Sequence, residues 1–230
     1  MGRSMKRSII WGALLGLGLA LAGYRIYPVL HPLSASHGEL RERAIASQLA
    51  QIGPGSNIFI GDSITELAYM PTLCKKPVLN AGIGGFSSAG ILEEAEALPA
   101  DARFDGAYLA FGTNDVVGPK RLNSEAFERT YSAVINALRG RARRIFILTI
   151  PGLSLVHLSD DYFRLSDIAE VNVAIKRVAD RNNVEMIDVH AALTEPDGTM
   201  RAGYGMDGVH LSALGYRAWL SKIEGSSCPG

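Results

Sequence analysis

From Asn57 onward, short β-rich apolar runs alternate with longer stretches of helical period, and this alternation limits the fold more than any other feature of the chain. The runs at 58–60, 77–80, 107–111, 144–150 and 184–189 read as strands. Helical patterns fill 89–98, 124–139, 166–182 and 211–223 between and after them. A strand that returns to its sheet through a helix lies parallel to its predecessor, and the helices then cover both sheet faces. The expected architecture is α/β: a three-layer α/β/α domain around a central five-stranded parallel sheet. No internal repeat or low-complexity tract interrupts the pattern. The longest irregular stretch is 151–167, where Leu153, Leu155, Val156, Tyr162 and Phe163 are expected to pack, with pocket lining as the alternative.

The N-terminus has a different character. Arg3, Lys6 and Arg7 precede an apolar or glycine run from Ile9 to Gly23, the pattern of an export signal. Ala20-Leu21-Ala22 offers a small-residue cleavage pattern, whereas Trp11, Tyr24, Arg25 and Tyr27 suit an uncleaved membrane anchor, and both readings stay open. Either places the following domain outside the cytoplasm, in the periplasm or secreted. The chain is thus expected to divide into a signal or anchor (1–27), a linker with a short helix at 39–52 (28–56), the α/β domain (57–225) and a tail (226–230). The 23 basic and 23 acidic residues cancel, so no bulk field favours nucleic acid, which is excluded as a partner. Cys74 and Cys228 are too few for a disulfide scaffold and lack zinc-site spacing. They can pair in an oxidising compartment, and the sequence leaves that open.

Four stretches carry the chemistry. The apolar run Ile58-Phe59-Ile60 ends in Gly61-Asp62-Ser63 ahead of a helix-compatible segment. That strand–turn–helix junction exposes Ser63 at the carboxyl edge of the sheet with its N–H among the unpaired donors of a helix start. The competing reading is a capping box, Ser63-x-x-Glu66. The second strand runs into Asn80-Ala81-Gly82-Ile83-Gly84-Gly85, where glycines let backbone N–H groups approach a bound oxygen; a dinucleotide fingerprint is excluded by its missing third glycine. The third strand ends in Gly112-Thr113-Asn114-Asp115, and an asparagine there can aim its amide at a developing oxyanion. Finally, Asp207 precedes His210 by three residues just before the last helix. That spacing lets the carboxylate accept from Nδ1–H and leaves Nε2 as a base.

Taken together, Gly61-Asp62-Ser63, a glycine within 82–85, Gly112-Thr113-Asn114-Asp115 and Asp207-x-x-His210 resemble the four blocks of the SGNH (GDSL) hydrolase family, in order, from about Asn57 to Leu220. The resemblance implies a flavodoxin-like fold and a serine esterase or acyl-transfer mechanism with no metal or organic cofactor. By motif position it makes Ser63 the nucleophile, His210 the base and Asp207 its orienting partner. Ser63 N–H, Gly85 N–H and Asn114 become the oxyanion donors, with Gly85 placed by its distance of five residues from Asn80 and Gly84 as the alternative. The expected function is hydrolysis of small acyl esters, O-acetyl groups above all, on extracytoplasmic carbohydrate. The alternatives are a lipid or thioester acyl hydrolase, a glycan O-acyltransferase, and a non-catalytic glycan-binding module.

Other polar residues receive structural readings. Asp62 and Asp115 are expected to bond loop N–H groups beside the site. His190 lies two residues after Asp188 at a strand end, poor spacing for a dyad. His31, His37 and His157 read as surface residues, and Arg139, Arg141, Arg143 and Arg144 as helix-dipole complements or solvated charges.

Overall fold

The computed structural model describes residues 36–118, 121–154 and 163–228. The expected signal or anchor, His31, Leu155, Val156, His157 and Tyr162 fall outside them. Contacts divide the chain into two units, Met1–Leu40 and Arg41–Gly230. Of the first, residues 36–40 are described. They open helix α1 (His37–Leu49) with a capping box in which Glu39 accepts from Ser36 N–H (2.7 Å) and Ser36 Oγ accepts from Glu39 N–H (3.3 Å). Among the described residues, no helix is long and apolar enough to cross a membrane.

The second unit is built on a sheet of β1 (Ser56–Gly61), β2 (Thr72–Leu73), β3 (Lys76–Gly82), β4 (Phe104–Ala110), β5 (Ala142–Leu148) and β6 (Glu185–Ile187), in the order β2-β3-β1-β4-β5-β6. The helices that follow α1 are α2 (Ser63–Glu66), α3 (Ser88–Ala97), α4 (Ser124–Leu138), α5 (Leu165–Asn182), α6 (Val189–Leu193) and α7 (Ala213–Ser227). The five expected strands form and are mutually parallel. A sixth, β2, is added antiparallel to the edge of β3. Two residues are too few to show a period. Its pairing is set by a two-residue turn in which Cys74 (φ 52°) and Lys75 (φ 61°) both take the left-handed conformation, as a tight hairpin requires.

Alternation along each strand feeds two cores. Ile58, Ile60, Leu79, Ala81, Ala107, Leu109 and Ile147 face α1, α3, α4 and α5. Phe59, Tyr108, Phe146 and Leu148 face α6 and α7. On that second face Phe59, Tyr108 and Phe146 occupy paired register positions and stack across three strands, with centroids 4.4 and 4.7 Å apart. Trp219 of α7 covers Phe59 at 5.8 Å. Such aromatic contacts add to plain burial in fixing register.

Most element ends shift by one to three residues from the sequence reading, the expected helix at 39–52 running from His37 to Leu49, and three of the shifts bear on the site and its support. The last strand stops at Ile187 because Asp188 accepts from Ala191 N–H (3.1 Å) and starts α6 instead. The last helix begins at Ala213 rather than at 211, since Ser212 is its cap. It continues to Ser227, and Cys228 at its end is bonded to Cys74 in the β2–β3 turn, a link between residues 154 apart.

With β2 set aside, β1 lies between the strand that follows it and β4, so the chain crosses in opposite directions on its two sides. A crevice opens at the carboxyl end of such a strand. Gly61-Asp62-Ser63 sits there.

Candidate active site

The turn after β1 is tight because little else fits. A Cβ at Gly61 would stand 2.2 Å from Thr65 Oγ1, and one at Gly82 would stand 2.2 Å from Glu66 N, so α2 rests directly on the ends of β1 and β3. The cap of α2 is Asp62, whose Oδ1 accepts from Ile64 N–H at 3.0 Å. The capping box Ser63-x-x-Glu66 does not form. Ser63 Oγ instead faces His210 Nε2 at 2.8 Å, and Glu66 accepts from Gly84 N–H at 2.6 Å.

The loop before α7 delivers His210. Met206 N–H donates to His210 O (2.8 Å) and Ser154 N–H to Gly208 O (2.8 Å), which fixes its shape. Asp207 folds back on this turn: Oδ1 accepts from Val209 N–H (3.1 Å) and His210 N–H (2.9 Å), while Oδ2 lies 2.6 Å from His210 Nδ1. A carboxylate can only accept, so Nδ1 carries the proton and Nε2 presents a lone pair to the Ser63 hydroxyl. Partial burial works against ionisation of Asp207, but the His210 N–H, the His210 ring and Val209 N–H outweigh it and hold the carboxyl below its ordinary range. The side chains of Asp207 and His210 are 49% and 26% exposed, so the pair borders solvent where a substrate can reach it.

Asp62 is in the opposite situation. Burial pushes its carboxyl up to about 6, against the lowering effect of the Ile64 N–H. Its Oδ2 and the neighbouring Thr113 Oγ1 are both buried without a hydrogen-bond partner among the described residues. The threonine hydroxyl is still near enough to favour the ionised form.

The expected oxyanion donors lie on three loops around this turn. No acceptor for Ser63 N–H or Gly85 N–H is found among the described residues. Gly84 N–H is held by Glu66, so Gly84, the alternative donor, has its N–H engaged. Gly85 has φ 82°, a conformation glycine adopts without strain. Asn114 stands in a short 3₁₀ turn, Thr113–Asp115, and Nδ2 donates one proton to Phe86 O (3.0 Å), which leaves its second. Asp115 accepts from Ser88 N–H (3.0 Å) and Ser88 Oγ–H (2.6 Å) and so binds this turn to the start of α3. Asp62 and Asp115 thus hold loop N–H groups, as their positions imply.

His190 has other partners. Its Nδ1 lies 3.0 Å from Ile150 O and 3.2 Å from Asn172 Nδ2, and Asp188 turns to the cap of α6 and Thr149 Oγ1. The arginines of the run are mostly exposed, the Arg143 side chain at 82%, and still find partners, with Arg141 placed as a complement to the end of α4. Arg139 donates to Asn182 O and Arg141 to Leu98 O and to Ala137 O in the last turn of α4. Arg143 pairs with Asp105, and Arg144 pairs with Glu185 and reaches Ser227 O. Two residues that the sequence did not assign to the site border it: Glu66, read there only as part of a capping box, and Arg41 of α1, whose guanidinium donates to Gly82 O (3.0 Å) and Asn80 O (3.1 Å).

The sequence matches the GDSL-like lipase/acylhydrolase family over residues 59–218. No curated protein matches it significantly. Among solved structures, it is similar to a protein from Streptococcus pneumonia provisionally named a platelet activating factor, with 24% identity, a TM-score of 0.73, and 88% of this chain and 98% of that one covered. A GDSL-like lipase from Bacteroides thetaiotaomicron gives 16% identity and a TM-score of 0.68 over 80% of this chain and 95% of its own. An acetyl xylan esterase, AlAXEase, gives 25% identity and a TM-score of 0.61 over 75% of this chain and 99% of its own.

Proposed function

The chain belongs to the GDSL-like lipase/acylhydrolase family and is a hydrolase acting on esters, and from that premise we propose that it removes small acyl groups, O-acetyl above all, from carbohydrate outside the cytoplasm. The observation that carries the mechanism is the contact of Ser63 Oγ with His210 Nε2 at 2.8 Å, continued by His210 Nδ1 to Asp207 at 2.6 Å. His210 takes the Ser63 proton as Oγ attacks the ester carbonyl. The tetrahedral oxyanion forms against Ser63 N–H, Gly85 N–H and the second amide proton of Asn114. Collapse expels the alcohol, which receives the proton from His210, and leaves Ser63 acylated. His210 then deprotonates water, which releases the acid and regenerates the serine.

The acetyl-carbohydrate half of the reading is supported by the likeness to an acetyl xylan esterase and by the crevice bordering solvent. The location is supported by the basic residues preceding an apolar run at the N-terminus and by the Cys74–Cys228 bond, a linkage rare in reducing compartments. A second reading, hydrolysis of longer acyl chains, is favoured by exposed Leu67 and Met206, four residues after Ser63 and one before Asp207.

Hydrolysis of nitrophenyl esters from acetate to laurate by the full chain, beside Ser63→Ala and His210→Ala, tests the mechanism and the acyl length together. Each variant is expected to lose at least about 10³-fold in kcat with its melting curve unchanged. Comparable turnover by either variant refutes the triad, and a laurate preference replaces the acetyl reading. Absence of both turnover and fluorophosphonate labelling at Ser63 replaces the enzyme with a binding module.

A further inference from the structure

Glu66 is the last residue of the single turn that begins with Ser63, and its side chain is 16% exposed. It does not close back on its own helix. Oε2 accepts from Gly84 N–H at 2.6 Å, and Oε1 lies 3.5 Å from Arg41 Nε. Arg41, coming from α1, spends its other contacts on the same loop: Nε and Nη2 donate to Gly82 O at 3.1 and 3.0 Å, and Nη2 also donates to Asn80 O at 3.1 Å. Asn80 completes the junction. Its Oδ1 accepts from Gly82 N–H (2.9 Å), and its Nδ2 donates to Thr65 O (2.8 Å) and Ala68 O (3.0 Å).

The loop from Asn80 to Gly85 is therefore fastened to the element that carries the nucleophile. Backbone contact sets the spacing, because a side chain at Gly82 would meet Glu66 N at 2.2 Å. The carboxylate then settles which N–H is left over. Gly84 and Gly85 are adjacent and both glycines, and neither has a side chain that would fix the turn. Gly84 N–H is taken by Glu66, and Gly85 N–H is without an acceptor among the described residues. A charge-assisted bond from an amide to a carboxylate is roughly twice as strong as a neutral one, and Arg41 holds that carboxylate in place.

We propose that Glu66, braced by Arg41, is a positioning residue that sets the Gly84–Gly85 turn so that Gly85 N–H, and not Gly84 N–H, serves as the oxyanion donor for Ser63. The inference rests on the esterase reading for its catalytic consequence, but its structural content stands apart from that reading. Without Glu66 the two amides compete for the turn, and Gly85 N–H is aimed at the oxyanion for only part of the time. An interaction made in the transition state alone is weakened, so kcat falls while KM holds.

The test uses the full chain as Glu66→Ala and Glu66→Gln, read by ester kinetics and by amide-proton exchange at Gly84 and Gly85. The alanine variant is expected to lose about 10–100-fold in kcat, less than or equal to the 10²–10³ of a donor removed outright, with KM within about threefold. Glutamine keeps a carbonyl acceptor for Gly84 N–H and is expected to restore kcat to within about fivefold of the parent. Exchange protection of Gly84 should vanish in the alanine variant and persist with glutamine. The proposal is overturned by an alanine variant within threefold of the parent in kcat, by a loss carried mainly in KM, or by a loss that glutamine fails to restore. If the parent itself does not turn over any ester, the esterase reading fails and exchange alone decides: Gly84 protection lost in Glu66→Ala upholds the positioning role, and protection unchanged overturns it.

Discussion

Replacing Asp62 by asparagine should make the protein more stable at neutral pH, and the gain should disappear in acid. Asp62 is 1% exposed, and burial lifts its carboxyl from an ordinary 3.8 to about 6. That is a gap of about 2 pH units, and at about 1.4 kcal/mol per unit it corresponds to roughly 3 kcal/mol. The sign follows from proton counts. Between about pH 4 and about pH 6 the folded chain keeps the Asp62 proton while the unfolded chain has released it, so stability falls as pH rises through this window. Below it the contribution is fully present, and above it the folded state carries an ionised carboxylate in a site that favours the neutral one. Asparagine matches the shape and does not ionise. It retains an oxygen for Ile64 N–H, and it brings an N–H₂ donor toward Thr113 Oγ1, which lacks a partner among the described residues. Urea unfolding of parent and variant at about pH 3.5 and about pH 7.5 measures the effect, since groups elsewhere cancel in the difference. The stability difference should move by about 3 kcal/mol in favour of asparagine between the two conditions. A difference that moves by less than about 1 kcal/mol, or in the other direction, refutes the reasoning from burial.

Two further outcomes are expected. Asn114→Ala should cost about 10²–10³ in kcat with little change in KM, because its remaining amide proton contributes once charge develops; a change confined to KM would assign Asn114 to substrate binding instead. Reducing the Cys74–Cys228 bond frees a loop of 154 residues in the unfolded chain, worth up to about 5 kcal/mol by loop closure and about 2–5 kcal/mol in practice. The urea midpoint should drop accordingly in reductant and not in a Cys74→Ser, Cys228→Ser double variant, and equal midpoints with and without reductant would refute the linkage.

The layered fold was legible because its strands are buried on both faces and its helices are not, so the apolar period changes each time the chain enters or leaves the sheet. That Ser63, His210 and Asp207 could be brought into one hydrogen-bonded row was legible for a local reason. Ser63 marks a strand end, and Asp207 and His210 are three residues apart on one turn. What escaped depends on pairings over long separations. Arg41 reaches Gly82 across 41 residues, and Glu66 reaches Gly84 across 18, and neither leaves a period or a spacing to notice. Glu66 was even legible in the wrong sense. A serine three residues before a glutamate reads as a capping box, but Asp62 already caps the turn and frees both side chains for longer contacts. The edge strand β2 escaped because two residues carry no pattern, and the pairing of Cys74 with Cys228 because proximity across 154 residues is a property of the finished fold.

The placement of carboxylates explains how four loops yield free donors at chosen points. Turns and helix starts expose backbone N–H groups that need acceptors, and here acidic side chains take several of them: Asp62 takes Ile64, Glu66 takes Gly84, Asp115 takes Ser88, and Asp207 takes Val209 and His210. Two of these lie beside the amides that have no acceptor among the described residues. Ile64 follows Ser63, and Gly84 precedes Gly85. An oxyanion site needs donors that are rigid yet unpaired, and a turn whose neighbouring N–H is anchored to a carboxylate meets both needs at once. The arrangement carries its own cost, since Asp62 must be buried to serve as such an anchor, and burial is what lifts its carboxyl to about 6. Asparagine relieves that cost. If the relieved protein also turns over more slowly, the charge on Asp62 contributes to catalysis through the Ser63 turn; if turnover is unchanged, only the hydrogen-bonding oxygen is required there.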